Sequence, residues 1–277
     1  MNSYKCSKLY ISYAIDNFDP IPDTPESEYG SSWHYASAVL IDETLIMTCG
    51  GGGFHNRKCF GLNLVTGSWK PMASMNFPRT FGFSLVTVGN VILAIGSGGN
   101  AGTLIEVYDR DLDSWTPMPQ WNDPMDPWLT GHCAVAIDDH QIMVIEGSYY
   151  NPYASNTSKI LDINTGKWRN TAPYFNPGRT INQACLATTV NGIHGVMVTG
   201  GISLIGEDGV YYYGQTINQT LFYQIEMDSW ITLAETWYPV YDHQMVMFEN
   251  QPMIIGGQYT GFIEDTTMHE SGIDIKR

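Results

Sequence analysis

Short apolar runs separated by polar turns recur along the whole chain, which predicts β-strands from end to end. One kind of run ends in Gly-Gly or a relative. It occurs at Leu45 to Gly51, Val91 to Gly96, Ile142 to Gly147, Val196 to Gly201 and Met253 to Gly257, with starts 46 to 57 residues apart. A second apolar run precedes each: Ser37 to Ile41, Phe83 to Val88, Cys133 to Ile137, Ala184 to Val190 and Met245 to Phe248. Tight polar turns such as Gly89-Asn90, Asp138-Asp139-His140 and Asn191-Gly192 join the two runs, as in hairpins.

After each Gly motif comes a variable stretch, then a third strand and a turn leading into tryptophan. The turns read Thr66-Gly67-Ser68-Trp69, Leu112-Asp113-Ser114-Trp115, Thr165-Gly166-Lys167-Trp168 and Met227-Asp228-Ser229-Trp230. Each places Gly or Asp where a tight turn needs it. The repeating unit is therefore four antiparallel strands, a to d, with glycine after b and tryptophan opening d.

This unit resembles the kelch repeat, whose copies of roughly 50 residues are the blades of a β-propeller. The resemblance rests on the pairs Gly50-Gly51, Gly200-Gly201 and Gly256-Gly257, on Tyr108-Asp109, on the four tryptophans, and on Arg79 and Arg179 ahead of strand a. Two units depart from it, with Gly96-Ser97 and Gly147-Ser148 in place of the pair. The expected fold class is an all-β, kelch-type propeller of four-stranded antiparallel blades.

The ends read as two halves of one blade. Leu9 to Ile15 fits strand c, and Asp16-Asn17-Phe18 matches Asp228-Ser229-Trp230 with Phe for Trp. The C-terminal part supplies strands a and b. The whole chain, 1–277, is then a single domain. Residues 1–35 hold strands c and d of the closing blade, 36–242 four central blades, 243–257 strands a and b of the closing blade, and 258–277 a tail. Five blades are expected; the alternative is an incomplete six-bladed propeller.

Composition narrows the function. The chain has 277 residues, 28 of them acidic and only 13 Lys or Arg, for a net charge of -15. That lacks the basic footprint of a nucleic-acid binder. No apolar run approaches the roughly 18 residues a membrane span needs, so no membrane insertion is expected. Five cysteines form neither a disulfide framework nor a zinc pattern. The two sequons, at Asn156 and Asn218, are no more than chance supplies at this composition. The expected location is cytoplasmic, with secretion as the alternative.

Strand order assigns the loops to faces. The a–b and c–d turns fall on one side of a blade, the b–c loops and d–a links on the other. The second set is long: Asn151 to Ser158, Ile202 to Asn218, Asp23 to Tyr35 and Gln120 to Gly131. Long loops on a rigid scaffold are where binding residues collect. Candidate partner-binding residues there are Trp128, Tyr149, Tyr150, Tyr211, Tyr212 and Tyr213, since Tyr and Trp are favoured anchors. Arg79, His132, Arg179 and His243 precede successive strands a and should line the channel mouth, where they could hold an acidic segment. The competing reading is that they bond neighbouring blades together. Acidic residues in the same loops, among them Glu26, Glu28, Asp123, Asp126, Glu207 and Asp208, would suit a basic partner.

Kelch resemblance also admits enzymes. A galactose oxidase-like copper site would draw on Tyr238, Tyr241 and His243, and a sialate mutarotase-like site on Arg79, Arg179 and Glu146. The first lacks a second placed histidine. The preferred reading is a monomeric, non-enzymatic scaffold for a protein or peptide partner, with no cofactor and no metal. The resemblance implies partners such as ubiquitin-ligase substrates or actin.

Overall fold

A computed structural model describes residues 36–51, 57–79, 82–96, 105–121, 129–145, 147, 158–173, 179–207 and 210–258. These residues are β-strands and turns with one short 3-10 turn, Pro119–Trp121. They fall into two compact units, one running up to Thr171 and one from Ala172.

The first unit holds three four-stranded antiparallel sheets. The first has β1 (Ser37–Asp42), β2 (Leu45–Cys49), β3 (Cys59–Asn63) and β4 (Ser68–Met72). The second has β5 (Ser84–Val88), β6 (Val91–Ile95), β7 (Glu106–Asp109) and β8 (Ser114–Pro117). The third has β9 (Cys133–Ala136), β10 (Gln141–Ile145), β11 (Lys159–Asp162) and β12 (Lys167–Asn170). In each, neighbours in space are neighbours in sequence, the meander of a propeller blade.

The second unit holds a fourth such sheet, made of β14 (Ala184–Val190), β15 (Ile193–Thr199), β18 (Thr220–Gln224) and β19 (Ser229–Thr232). Beside these strands are a hairpin of β20 (Tyr241–Phe248) with β21 (Gln251–Gln258), and a three-stranded sheet of β13 (Arg179–Ile181), β16 (Ile202–Glu207) and β17 (Val210–Thr216). The chain is thus all-β and built from blade-type sheets, as its repeats predict. The segment assigned to strand c of a closing blade, 9–15, lies outside the described residues, as does 259–277.

Inner strands read as continuous apolar runs because both their faces are covered. Val91–Ile95 and Gln141–Ile145 are buried at every position but the first, and Thr220–Gln224 at all positions. Between the first and second sheets Met47, Cys49, Cys59 and Met75 pack on Phe83, Ile92, Tyr108 and Trp115. Between the second and third, Val86, Leu93 and Ile95 meet Ile142, Val144 and Leu161. In the second unit Met197 and Phe222 meet Met245 and Ile254.

The Gly-or-Asp position of the four turns has one physical cause. Gly67, Asp113, Gly166 and Asp228 all have left-handed backbone, with φ of 64°, 45°, 67° and 43°. Glycine adopts it freely, and Asp is among the few side chains that tolerate it. Where Asp stands, its carboxylate gains a second use. Asp113 Oδ1 accepts from Tyr108 Oη at 2.7 Å and from the Ala73 N–H of the preceding sheet at 2.9 Å. Asp228 repeats this with Tyr223 at 2.5 Å and Ala172 at 2.8 Å. The tryptophans follow suit: Trp115 and Trp230 are buried against Tyr108 and Tyr223, with ring centroids 5.1 Å apart in both pairs.

Two features differ from the sequence reading. Cys49 and Cys59 form a disulfide, and Cys133 and Cys185 are disulfide-bonded as well. Odd number and spacing concealed this, because pairing across strands depends on register and not on spacing in the chain. The stretch from Ile202 to Asn218 is not a plain loop but chiefly a hairpin, β16–β17, paired to β13. The signal for it is present: Asp208-Gly209 stands between Ile202-Ser203-Leu204-Ile205 and Val210-Tyr211-Tyr212-Tyr213, a common hairpin dipeptide between β-forming runs.

Candidate functional site

Arg79 arrives just ahead of β5 and is fully buried. Its guanidinium donates to the Gly96 carbonyl and to Glu106 Oε1, the latter at 3.1 Å. Glu106, also fully buried, opens β7 and accepts at Oε2 from the Asn76 backbone N–H at 2.7 Å and from Asn76 Nδ2 at 2.8 Å. Asn76 Nδ2 bonds the Trp115 carbonyl too. Burial pulls the Arg79 pKa down, and the Glu106 carboxylate opposes that pull. The pair therefore joins the segment after β4 to strands of the second sheet. Nothing in the sequence singled out Glu106. In the sequence it is one of the two acidic residues of Glu106-Val107-Tyr108-Asp109, and only packing separates it from the exposed Asp109.

His132 sits ahead of β9 and is buried. A Cβ on Gly96 would lie 2.5 Å from its Cε1, so the glycine leaves room for the imidazole. Neither ring nitrogen has a hydrogen-bond partner among the described residues. Burial, then the Arg79 charge, pushes its pKa down to about 3, which keeps the ring neutral.

His243 plays the same part in the second unit. It is buried on β20, its Nε2 lies 2.8 Å from Thr199 Oγ1, and a Cβ on Gly200 would run into its ring and into the Val240 carbonyl. Burial lowers its pKa to about 4. Gly50, Gly96 and Gly200 share this arrangement: each faces the segment that introduces the next strand a. Arg79, His132 and His243 thus come to buried positions within their units. Arg179 heads β13; its backbone pairs with Leu204 of β16.

On the d–a and b–c side, the second unit brings the two connection types together. β13 belongs to a d–a link and β16–β17 to a b–c insertion, and the three form one sheet with β17 at its edge. Tyr211, Tyr212 and Tyr213 lie on β17, opposite Gly206, Ile205 and Leu204. Trp128, Tyr149 and Tyr150 lie outside the described residues, as does Glu146. Trp121 is half-buried and packs on the core between the second and third sheets, where its carbonyl accepts from Trp168 Nε1 at 2.7 Å.

The next d–a link carries a pair of aromatics that the loop reading passed over as binding anchors. Trp237 is 80% exposed and Tyr238 48%. The link is tied down on both sides of them. Thr236 N donates to the Asn218 carbonyl at 2.8 Å, and Val240 N to the Ile217 carbonyl at 3.3 Å. The large indole is thus presented on a fixed backbone, beside the return of the β16–β17 insertion. Its signal in the sequence is Trp237-Tyr238-Pro239, a tryptophan off the repeat register.

Tyr241 Oη is engaged with Gln258 at 2.8 Å, and His243 with Thr199. Among the described residues no group of three or more His, Cys, Asp or Glu is placed to hold a metal ion.

No family model matches the chain. It is 30% identical over 123 residues to the F-box protein AFR of Arabidopsis thaliana, covering 43% of this chain and 32% of that protein. It is 30% identical over 114 residues to Kelch-like protein 15 of Danio rerio and of Mus musculus, covering 38% of this chain and 18% of each relative. The chain therefore spans a third or less of the length of these relatives, and its likeness to the kelch type is a distant one.

Proposed function

We propose that this chain is a non-enzymatic protein-interaction propeller whose partner docks on the b–c and d–a side of the unit from Ala172 onward. The observation that carries the reading is Trp237, a large apolar side chain left 80% exposed on a backbone held at both flanks. Exposing an indole costs stability, and ordering its backbone beforehand reduces what binding must later spend in entropy. Tyr238, 48% exposed, extends the patch. Tyr and Trp are the side chains that most often dominate interface energetics.

The distant likeness to Kelch-like and F-box proteins supports a protein partner over a small molecule. The acidic balance of the chain favours a partner segment that is basic, steered by charge and anchored by the aromatics. Arg79, His132 and His243 are assigned to blade packing in this reading, because their burial leaves little surface for a ligand.

Immobilised full-length chain and a Trp237→Ala/Tyr238→Ala variant, compared by quantitative mass spectrometry of what each retains, provide the test. A Val65→Ser/Leu112→Ser variant, altered at exposed c–d turn residues, is the control. Loss of the same retained proteins from the Trp237/Tyr238 variant alone, at unchanged melting temperature, is expected. Equal retention by both variants overturns the proposal.

A further inference from the structure

We infer that this chain is made for an oxidising compartment, with Cys49–Cys59 as its structural disulfide; the inference stands on the cysteines and does not depend on the partner-binding reading. Cys49 closes β2 and Cys59 opens β3, and the two face each other in the register of the pair. The Gly50 N–H donates to the Lys58 carbonyl at 3.0 Å. That bond, one residue outward on each strand, makes Cys49 and Cys59 a non-hydrogen-bonded pair, the site where facing side chains approach most closely. Their Cα atoms are 4.1 Å apart. Ladder and crosslink therefore specify the same register.

Both cysteines are buried, at 0% and 1% exposure, in the cluster that contains Met47, Met75, Phe83 and Trp115. A reductant thiolate must reach one sulfur in line with the bond, and this burial denies access until the sheet opens. A bond so placed suits a permanent crosslink more than a redox switch. It fastens both ends of the connection between β2 and β3, on the side of the blade where long loops gather.

A second observation points the same way. Cys133 and Cys185, on β9 and β14, are also disulfide-bonded, so every cysteine among the described residues is oxidised. Cytosolic proteins rarely keep such bonds, because glutathione and thioredoxin hold their thiols reduced, whereas secreted and luminal proteins keep them as a rule.

Formation balances with a protein disulfide donor, the oxidised dithiol of an oxidoreductase. The Cys49 thiolate attacks one donor sulfur, forming a mixed disulfide and releasing the other donor sulfur as thiolate. The Cys59 thiolate then attacks Cys49 Sγ and displaces the first donor sulfur. Two electrons pass from the cysteine pair to the donor, which leaves as a dithiol after taking up two protons; Cys49 and Cys59 have lost theirs.

In cells expressing the full natural transcript, acid quenching followed by N-ethylmaleimide records the thiol state before lysis. Peptide mapping without reduction should recover Cys49 linked to Cys59 and neither residue alkylated. On the purified full chain, dithiothreitol with denaturant present should free the pair, and the reduced chain should melt several degrees lower. Quantitative alkylation of both residues in the cell overturns the inference. So does a melting temperature that is the same for the oxidised and reduced chains.

Discussion

The indole N–H of Trp115 donates to the carbonyl of Ala73 across 3.0 Å, joining the opening of β8 to the residue that follows β4 in the preceding sheet. The bond recurs in the second unit, from Trp230 to the Ala172 carbonyl at 2.9 Å. Each alanine also gives its N–H to the aspartate two residues before that tryptophan. Asp and Trp together close both backbone groups of one alanine, so the turn of one blade clasps the end of another strand.

Asp113→Ala should therefore destabilise the protein more than Tyr108→Phe. Losing the carboxylate breaks two bonds, from the Ala73 N–H and from the Tyr108 hydroxyl, each worth about 1 kcal/mol. Tyr108→Phe removes one bond, worth about 1 kcal/mol. Urea titration of both variants and the double variant measures the coupling, and strict additivity would contradict a shared clasp.

The buried ion pair predicts an asymmetry. Arg79→Met leaves the Glu106 carboxylate in the core without its cation, and loss of one partner of a buried pair typically costs about 3–5 kcal/mol. Arg79→Met combined with Glu106→Leu removes both charges and should recover part of that loss. Recovery stays incomplete, because Glu106 also accepts from the backbone of Asn76 and Phe77. Thermal denaturation of the three variants decides; a double variant worse than the sum would refute the account.

Stability should fall as acid is added. His132 and His243 have folded pKa values near 3 and 4, below the unfolded value of 6.5. Between those limits the unfolded chain binds protons that the folded chain refuses. The contribution of these histidines is fully present above pH 6.5 and is lost progressively as pH drops toward 4 and 3. Each proton adds a slope of about 1.4 kcal/mol per pH unit inside the window. His132→Phe, which keeps an aromatic of similar shape, should flatten the pH–stability curve there. An unchanged slope would mean the ring is charged in the fold.

Glycines of one motif should differ in what they tolerate. Gly200→Ala drives a Cβ into the Val240 carbonyl and the His243 ring at left-handed φ, so it should unfold the second unit or destabilise it severely. Gly256 has the same backbone, φ 67°, but a Cβ there meets no described atom within 4 Å. Gly256→Ala should cost only the left-handed penalty of about 1–2 kcal/mol. A cost as high as that of Gly200→Ala would place packed chain against β21, as closure of a blade by residues 9–15 requires.

The repeat was legible because each of its elements answers to a local rule. Continuous apolar runs mark strands covered on both faces, the Gly or Asp before each tryptophan marks left-handed backbone, and Asn191-Gly192, with φ of 51° and 80°, marks a hairpin turn. Strand ends followed closely: Ala184–Val190 is β14 to the residue. The site was less legible. Arg79 and His132 were placed ahead of strands a, but position along the chain carries no information on depth. Only the packing of one sheet on the next turns them inward.

Sequence alone therefore determined the class of fold, the order of strands a to d, and the side of the blade on which long connections lie. Those features rest on backbone conformation and side-chain periodicity, which act over a few residues. Tertiary structure alone decided that Arg79 meets Glu106, that Cys49 meets Cys59, and that Trp237 is left in solvent on a fixed link. Each depends on register between strands, or on which surfaces remain uncovered after sheets have packed, and neither is a property of any local stretch of chain.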